Sequence, residues 1–168
     1  AGVEVETRAD SEGRWRATLP ASPAGGPHTL AARSDDGRRQ TIRDVLIGDV
    51  WLCSGQSNMV LEIRRALDAD SEAANVIDDK IRMLTVPTAA RQAPASSFAS
   101  PAPWRKASPA DAPRFSAVCY YFAREMRKTT DIPIGLVVAA WGGSRIETWM
   151  THEGLEAGGL DEGRLAIA

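Results

Sequence analysis

The first 44 residues alternate between apolar and polar positions over short stretches. Such alternation predicts β-strands with one buried face, and turn signals such as Asp36-Gly37 favour tight connections. The predicted strands cover residues 3–6, 15–19, 29–33 and 41–45. Because three or four strands are too few to close a sandwich, we predict that residues 1–44 form part of a small, jelly-roll-like β-sandwich domain.

The pattern changes at Val45, where nearly continuous apolar sequence runs to Cys53. Such a run is typical of a strand buried on both faces of a parallel sheet. Similar runs predict strands at 81–86 and 134–140, and helical spacing predicts helices at 59–67 and 115–128. The second helix carries Val118, Phe122, Ala123 and Met126 on one face. This alternation of strands and helices predicts an α/β fold over residues 45–168.

Residues 87–113 interrupt this order. They contain six of the ten prolines and many alanines and serines. A loop of this length inside a compact domain is unusual and often functional. Two interpretations stay open: a functional loop, or a surface segment that Trp104 fixes to the domain.

Composition argues against several classes of function. The 168 residues carry a formal net charge of −2, with 43% hydrophobic and 25% charged residues, so nothing favours a nucleic-acid partner. The longest apolar stretch, residues 134–141, is too short to span a bilayer, and no secretory signal is evident. Since no histidine or cysteine cluster has metal-ligand spacing, we expect neither a metal nor an organic cofactor.

The chain has two cysteines, Cys53 and Cys119, and two histidines, His28 and His152. Both cysteines lie among apolar residues, which favours buried free thiols, while their spacing leaves a single disulfide open. The scarcity of histidine limits any mechanism that needs an imidazole base.

The first candidate for chemistry is the segment Ser-Gly-Gln-Ser-Asn-Met at 54–59, between a predicted buried strand and a predicted helix. In a parallel sheet this is the carboxyl edge, where ligands bind. Ser57 would have an exposed hydroxyl near helix N–H groups that favour negative charge, and Gly55 would permit a tight turn. Local chemistry alone favours a simpler interpretation, in which Ser57 or Asn58 only caps the helix. The segment also differs from the Gly-x-Ser-x-Gly elbow, because Met59 occupies the last position.

The second candidate is the segment Trp-Gly-Gly-Ser at 141–144, which also follows a predicted buried strand. Two glycines expose backbone N–H groups without obstruction, as an oxyanion hole requires. A simple turn remains the alternative, since a lone Gly-Gly pair is weak evidence.

Together these segments resemble one family. Residues 48–59, Gly-Asp-Val-Trp-Leu-Cys-Ser-Gly-Gln-Ser-Asn-Met, are similar to the signature of the SGNH-like sialate O-acetylesterases and related bacterial carbohydrate acetylesterases. Further matches in the family's order lie at 24–27, 115–123, 132–144 and 146–150, and the resemblance covers about residues 10–155. It implies that residues 45–168 are the N-terminal part of a three-layer α/β/α SGNH-like catalytic domain with an incomplete parallel sheet.

The resemblance also implies roles for individual residues. The Ser57 hydroxyl would attack an acetyl ester on a sugar, and its N–H would share the oxyanion hole with that of Gly143 or, as second choice, Gly142. Gln56, Asn58, Arg145 and Glu147 become possible substrate contacts, although Arg145 and Glu147 are expected to pair with each other instead.

Other residues that the family uses are missing. A later Gly-x-x-Asn-type block completes the family's oxyanion hole, and a histidine in a C-terminal Asp-x-x-His segment is the base. Trp149 stands three residues before His152, and Gly25 three before His28, so neither histidine matches. His152 is expected to be solvent-exposed.

A serine without a base is a poor nucleophile, so we predict little or no esterase activity for this chain alone. A second chain, or a C-terminal portion removed at a cleavable loop within 154–168, would carry the missing residues. A catalytically inactive carbohydrate-binding remnant is the alternative, and a hydrolase for another ester, such as a lipid, is a third.

The expected substrate is an acetylated carbohydrate, with sialic acid, xylan and other plant polysaccharides all open. Neither nucleic acid nor a membrane is expected as a partner. Because the family is often exported, a periplasmic, secreted or lysosome-like location is expected.

Overall fold

The computed structural model describes residues 2–91, 93 and 95–159. The chain divides into two compact units, Ala1–Ile47 and Gly48–Ala168. The division falls after Ile47 and not after Asp44, because residues 45–47 complete a strand of the first unit.

The first unit is built on an antiparallel hairpin. Strand β1 (Gly25–Arg33) pairs with β2 (Arg39–Ile47), and the turn between them includes Gly37 at φ +85°, whose N–H donates to the Ser34 carbonyl at 2.9 Å. The predicted strands at 29–33 and 41–45 are therefore confirmed. Those at 3–6 and 15–19 are wrong: these stretches form no ladder, and their large apolar side chains stay exposed. Alternating apolar and polar residues do not stabilise a strand when neither of its faces is buried.

The second unit contains a four-stranded sheet. Its strands are β3 (Asp49–Gly55), β4 (Asp78–Thr85), β5 (Arg105–Ala107) and β6 (Ile134–Ala140), in the order β3-β6-β4-β5. The first three in this order are parallel, and β5 is antiparallel to β4. The predicted α/β fold with a mostly parallel sheet is therefore confirmed.

The apolar run 45–53 is divided between two strands: residues 45–47 end β2 of the first unit, and residues 49–53 belong to β3 of the second. The sequence pattern does not reveal this division. The run is interrupted at Gly48, which lies so close to the Pro133 carbonyl that no side chain would fit. The next N–H, that of Asp49, donates to the same carbonyl at 3.0 Å and begins the pairing of β3 with β6.

Helices and helical turns fill the connections. The α-helices are α1 (Ser57–Val60), α2 (Ala69–Ala74), α3 (Ala117–Arg127) and α4 (His152–Ala157), with 3₁₀ turns at Ile63–Arg65, Ala112–Arg114 and Ile146–Trp149. The predicted helix at 59–67 is wrong beyond its first turn. Its backbone forms hydrogen bonds with the residues around the start of α3 instead. The Ile63 N–H donates to the Phe115 carbonyl at 3.0 Å, and the Ala117 N–H donates to the Leu61 carbonyl at 2.8 Å.

The core of this unit lies between the sheet and α3. Its members from the sheet are Ile81, Met83, Ile134, Leu136 and Val138, and those from α3 include Cys119, Tyr120 and Ala123. The helix predicted at 115–128 is confirmed, but only half of its predicted apolar face is buried: Ala123 and Met126 pack in or against the core, whereas Val118 and Phe122 are 47% and 38% exposed.

A disulfide explains which face of α3 is buried. Cys53 on β3 and Cys119 on α3 are joined, with Cα atoms 6.0 Å apart, and both are buried. The preference for free thiols is therefore wrong, and the disulfide alternative is correct. This bond holds the Cys119 face of α3 against the sheet.

The opposite face of the sheet is open along β3, which is an edge strand among those described. Val50 and Leu52 are 65% and 68% exposed there. Farther across this face, the Trp104 ring lies 3.3 Å from the position that a Cβ on Gly135 would take. For the described part of residues 87–113, this contact favours a surface segment fixed by Trp104. No helix in the described residues is long and apolar enough to cross a bilayer.

Candidate active site

Ser57 lies directly beyond the carboxyl end of β3. The chain turns at Gly55, whose φ is +142° and where a Cβ would stand 2.9 Å from Met59 Cγ, so glycine is required. Because α1 has only four residues, the helix dipole expected to support negative charge at Ser57 is small.

The second candidate segment meets the first. In the β3–β6 ladder Gly55 is opposite Ala140, and the Trp141 N–H donates to the Gly55 carbonyl at 3.0 Å. The next residue, Gly142, then lies against the nucleophile candidate, because a Cβ on Gly142 would be 3.6 Å from Ser57 Cα. Two segments far apart in sequence thus form one site.

Among the described residues, the second segment has two adjacent free backbone donors, and the first belongs to Gly142, which lies against Ser57. The N–H groups of Trp141 and Ser144 donate to carbonyls, whereas among the described residues those of Gly142 and Gly143 have no protein acceptor. Gly143 adopts φ +81°, a conformation that other residues rarely take. Exposed, unpaired N–H groups beside a serine hydroxyl can stabilise an oxyanion.

Gln56 holds both polar hydrogens of Ser57. Its Oε1 accepts from the Ser57 N–H at 3.0 Å and from the Ser57 hydroxyl at 2.9 Å. Gln56 is therefore the N-cap of α1, so the interpretation of Ser57 or Asn58 as the cap is wrong. It also means that the Ser57 N–H is occupied in this conformation.

The remaining candidate contacts are divided between the two segments. Asn58 is exposed on α1, Arg145 is exposed before the Ile146–Trp149 turn, and Glu147 is half-buried within that turn. Within the described part of the chain no ion pair joins Arg145 to Glu147, so the predicted pairing is wrong.

Sequence reasoning missed a feature of the second segment. The indole Nε1–H of Trp149 donates to Ser144 Oγ at 2.9 Å, and that hydroxyl donates to the Trp141 carbonyl at 2.7 Å. The five-residue spacing of serine and tryptophan gives no recognised signal, and only the 3₁₀ turn brings them together.

The two histidines lie outside both candidate segments. His152 begins α4 with its side chain 61% exposed and its Nε2 3.3 Å from Glu156 Oε1, and His28 lies on β1 of the first unit. Residues 160–168, part of the expected cleavable loop, lie outside the described residues, and 152–157 form α4. The described residues contain no group of three or more His, Cys, Asp or Glu side chains that could hold a metal.

Known proteins match this chain over most of its length. Residues 47–158 match a family described as carbohydrate esterase, sialic acid-specific acetylesterase. The sialate O-acetylesterases of Pongo abelii and Homo sapiens are 36% and 35% identical over 156 residues, which are 87% of this chain and 30% of each relative. A solved carbohydrate acetylesterase from Xanthomonas citri matches with a TM-score of 0.81 and 42% identity, covering 86% of this chain and 33% of that one. This chain thus spans about a third of the length of these relatives.

Proposed function

Because this chain belongs to the sialic acid-specific acetylesterase family of carbohydrate esterases, we propose that it is the nucleophile-bearing part of a serine O-acetylesterase for an acetylated carbohydrate. The observation that carries the proposal is the position of Ser57 beside Gly142, at the carboxyl ends of two adjacent parallel strands. In such a sheet this is where ligands bind.

The chemistry assigned to this chain is nucleophilic catalysis. The Ser57 Oγ attacks the carbonyl carbon of the acetyl ester while a histidine accepts its proton. The negative oxygen that forms is stabilised by the N–H groups of Gly143 and Gly142 and by that of Ser57. The carbon–oxygen bond to the sugar then breaks, and the sugar oxygen takes the proton from the histidine. Water attacks the acetyl-serine in the same way and releases acetate, so no cofactor is needed.

Gln56 has to move before this reaction begins. Its Oε1 holds the Ser57 N–H that the oxyanion would use. The exposed Gln56 side chain turns away when the acetyl group enters, and its amide then serves as a substrate contact together with Asn58, Arg145 and Glu147.

The catalytic histidine, its aspartate and an oxyanion-hole asparagine come from a further portion, as a second chain or as a continuation of the same polypeptide. Val50 and Leu52, exposed on the edge strand β3, are the surface where that portion packs. This chain assembled with that portion is the completed enzyme. The chain alone is expected to have little or no activity.

The buried Cys53–Cys119 disulfide supports an extracytoplasmic location. Disulfides form and persist in oxidising compartments, such as the periplasm or the exterior of the cell.

Hydrolysis of p-nitrophenyl acetate and of an acetylated xylo-oligosaccharide tests the proposal. The completed enzyme should be active, its Ser57→Ala variant should lose all but about a thousandth of that rate, and Ser54→Ala, a serine of the same segment, should keep it. Activity that survives Ser57→Ala would refute the assignment. A completed enzyme that binds the sugar but releases no acetate would favour the carbohydrate-binding remnant.

A further inference from the structure

The segment after β6 holds one indole in a fixed place. Trp149 Nε1–H donates to Ser144 Oγ, and Ser144 Oγ–H donates to the Trp141 carbonyl. Trp141 itself is tied to Gly55 at the end of β3 through its N–H. The indole is therefore anchored, through two hydrogen bonds, to the carbonyl that immediately precedes Gly142.

This indole is exposed although it is anchored. The Trp149 residue is 42% exposed, so a large apolar ring faces solvent at the edge where Ser57 lies. All of the anchoring bonds are made within residues 141–149, so the position of the ring is set by its own segment. An apolar side chain held in the open beside a candidate active site indicates a binding surface.

We propose that the Trp149 indole is the stacking surface for a pyranose ring of the substrate, a role that rests on the proposed function and specifies how the carbohydrate is held. The face of an indole carries negative charge density, which attracts the weakly positive C–H groups on one side of a sugar ring. The hydroxyl groups at the rim of that ring meet polar partners, because Arg145 precedes the same turn and Glu147 lies within it, and the two do not pair with each other.

The stacking contact has a kinetic signature. The sugar ring is bound equally in the ground state and in the transition state, so loss of the contact should raise KM and leave kcat unchanged. p-Nitrophenyl acetate has no sugar ring, and its hydrolysis should not depend on Trp149. Ser144 acts as a positioning residue: without its hydroxyl the indole remains but is free to turn.

The test measures two quantities in the completed enzyme. Binding of an acetylated xylo-oligosaccharide is measured by calorimetry in a Ser57→Ala background, and KM and kcat are measured with Ser57 intact. Trp149→Ala should weaken binding and raise KM about tenfold, and Ser144→Ala about threefold. Trp149→Phe keeps a ring and should recover part of the affinity. Trp15→Ala removes a tryptophan of the first unit that is 57% exposed, and it is the matched control.

The outcomes separate this inference from the proposed function. Unchanged sugar affinity in a folded Trp149→Ala variant overturns the stacking role, even if hydrolysis still requires Ser57. An equal loss with p-nitrophenyl acetate also overturns it, because Trp149 would then support the fold or the docking of the further portion. Loss of sugar affinity without any Ser57-dependent hydrolysis keeps the stacking role and rejects the esterase.

Discussion

Gln56 Oε1 accepts a hydrogen bond from the Ser57 N–H at 3.0 Å and a second from the Ser57 hydroxyl at 2.9 Å. A neutral amide can release both when substrate enters. A carboxylate in its place would bind them more tightly and would oppose the negative charge of the oxyanion. Gln56→Glu should therefore lower kcat/KM for p-nitrophenyl acetate in the completed enzyme by about 100-fold.

Gln56→Met is the control for this prediction, since it keeps the length of the side chain and adds no charge. Its activity should stay within about threefold of the parent, a difference that corresponds to less than 1 kcal/mol. If Gln56→Met is as impaired as Gln56→Glu with this sugar-free ester, loss of the amide and not the added charge causes the defect.

Gly142 and Gly143 should respond differently to alanine. A Cβ at Gly142 would make an ordinary contact, 3.6 Å from Ser57 Cα, whereas Gly143 has space for a side chain but a φ of +81°. Alanine at Gly143 is strained by about 1–2 kcal/mol and would reorient the N–H that we propose as an oxyanion donor. We expect kcat to fall by about 100-fold in Gly143→Ala and by less than about fivefold in Gly142→Ala.

Gly37→Ala provides the matched control for strain. Gly37 has nearly the same φ, +85°, and equally open surroundings, but it lies in the hairpin turn of the first unit. A similar loss of stability with unchanged kcat would separate backbone strain from the catalytic effect. Equal kcat losses in all three variants would contradict the assignment of Gly143.

The disulfide should account for much of the stability of the second unit. It closes a loop with a sequence separation of 66 residues, and a loop of that length stabilises by about 4 kcal/mol through the entropy of the unfolded chain. Urea unfolding with and without a reductant measures this difference. The Cys53→Ala, Cys119→Ala double variant should match the reduced protein and should not respond to the reductant.

The open edge of β3 should govern association. Leu52 is 68% exposed on this strand, so Leu52→Lys should reduce self-association of the chain alone and weaken its assembly with the further portion. Leu67 is 87% exposed but lies off the sheet, and Leu67→Lys should change neither. Light scattering and co-elution on size exclusion measure the two effects, and equal behaviour of the two variants would argue against docking on β3.

The sequence predicts the second unit well where burial is continuous. Strands β4 and β6 and helix α3 lie where their apolar patterns place them. The two candidate segments were expected at one sheet edge because parallel strands end together, and β3 and β6 prove to be direct neighbours. These successes share one cause: each of these elements is buried within a single unit, and a long apolar pattern in the sequence indicates such burial.

The predictions fail where contacts with residues distant in sequence determine the local structure. The helix predicted at 59–67 is lost because Ile63 and Ala117 exchange hydrogen bonds with each other's segments. The disulfide partner of Cys53 lies on a helix whose packing no local pattern reveals. The residue-type preference for helix caps pointed to Ser57 or Asn58, but the structure places Gln56 at the cap, where its side chain accepts from Ser57.

The neighbouring positions of β3 and β6 also bear on biosynthesis. The ribosome synthesises Ser57 long before Gly142. Ser57 therefore leaves the ribosomal exit tunnel before the backbone N–H groups of Gly142 and Gly143 exist. Cys119 emerges between them, and the last rung, Gly55 opposite Ala140, forms only after the whole strand β6 is free. Pairing between residues this distant in sequence is slow compared with helix formation. The candidate nucleophile therefore stays apart from the second segment until β6 has left the ribosome and paired with β3.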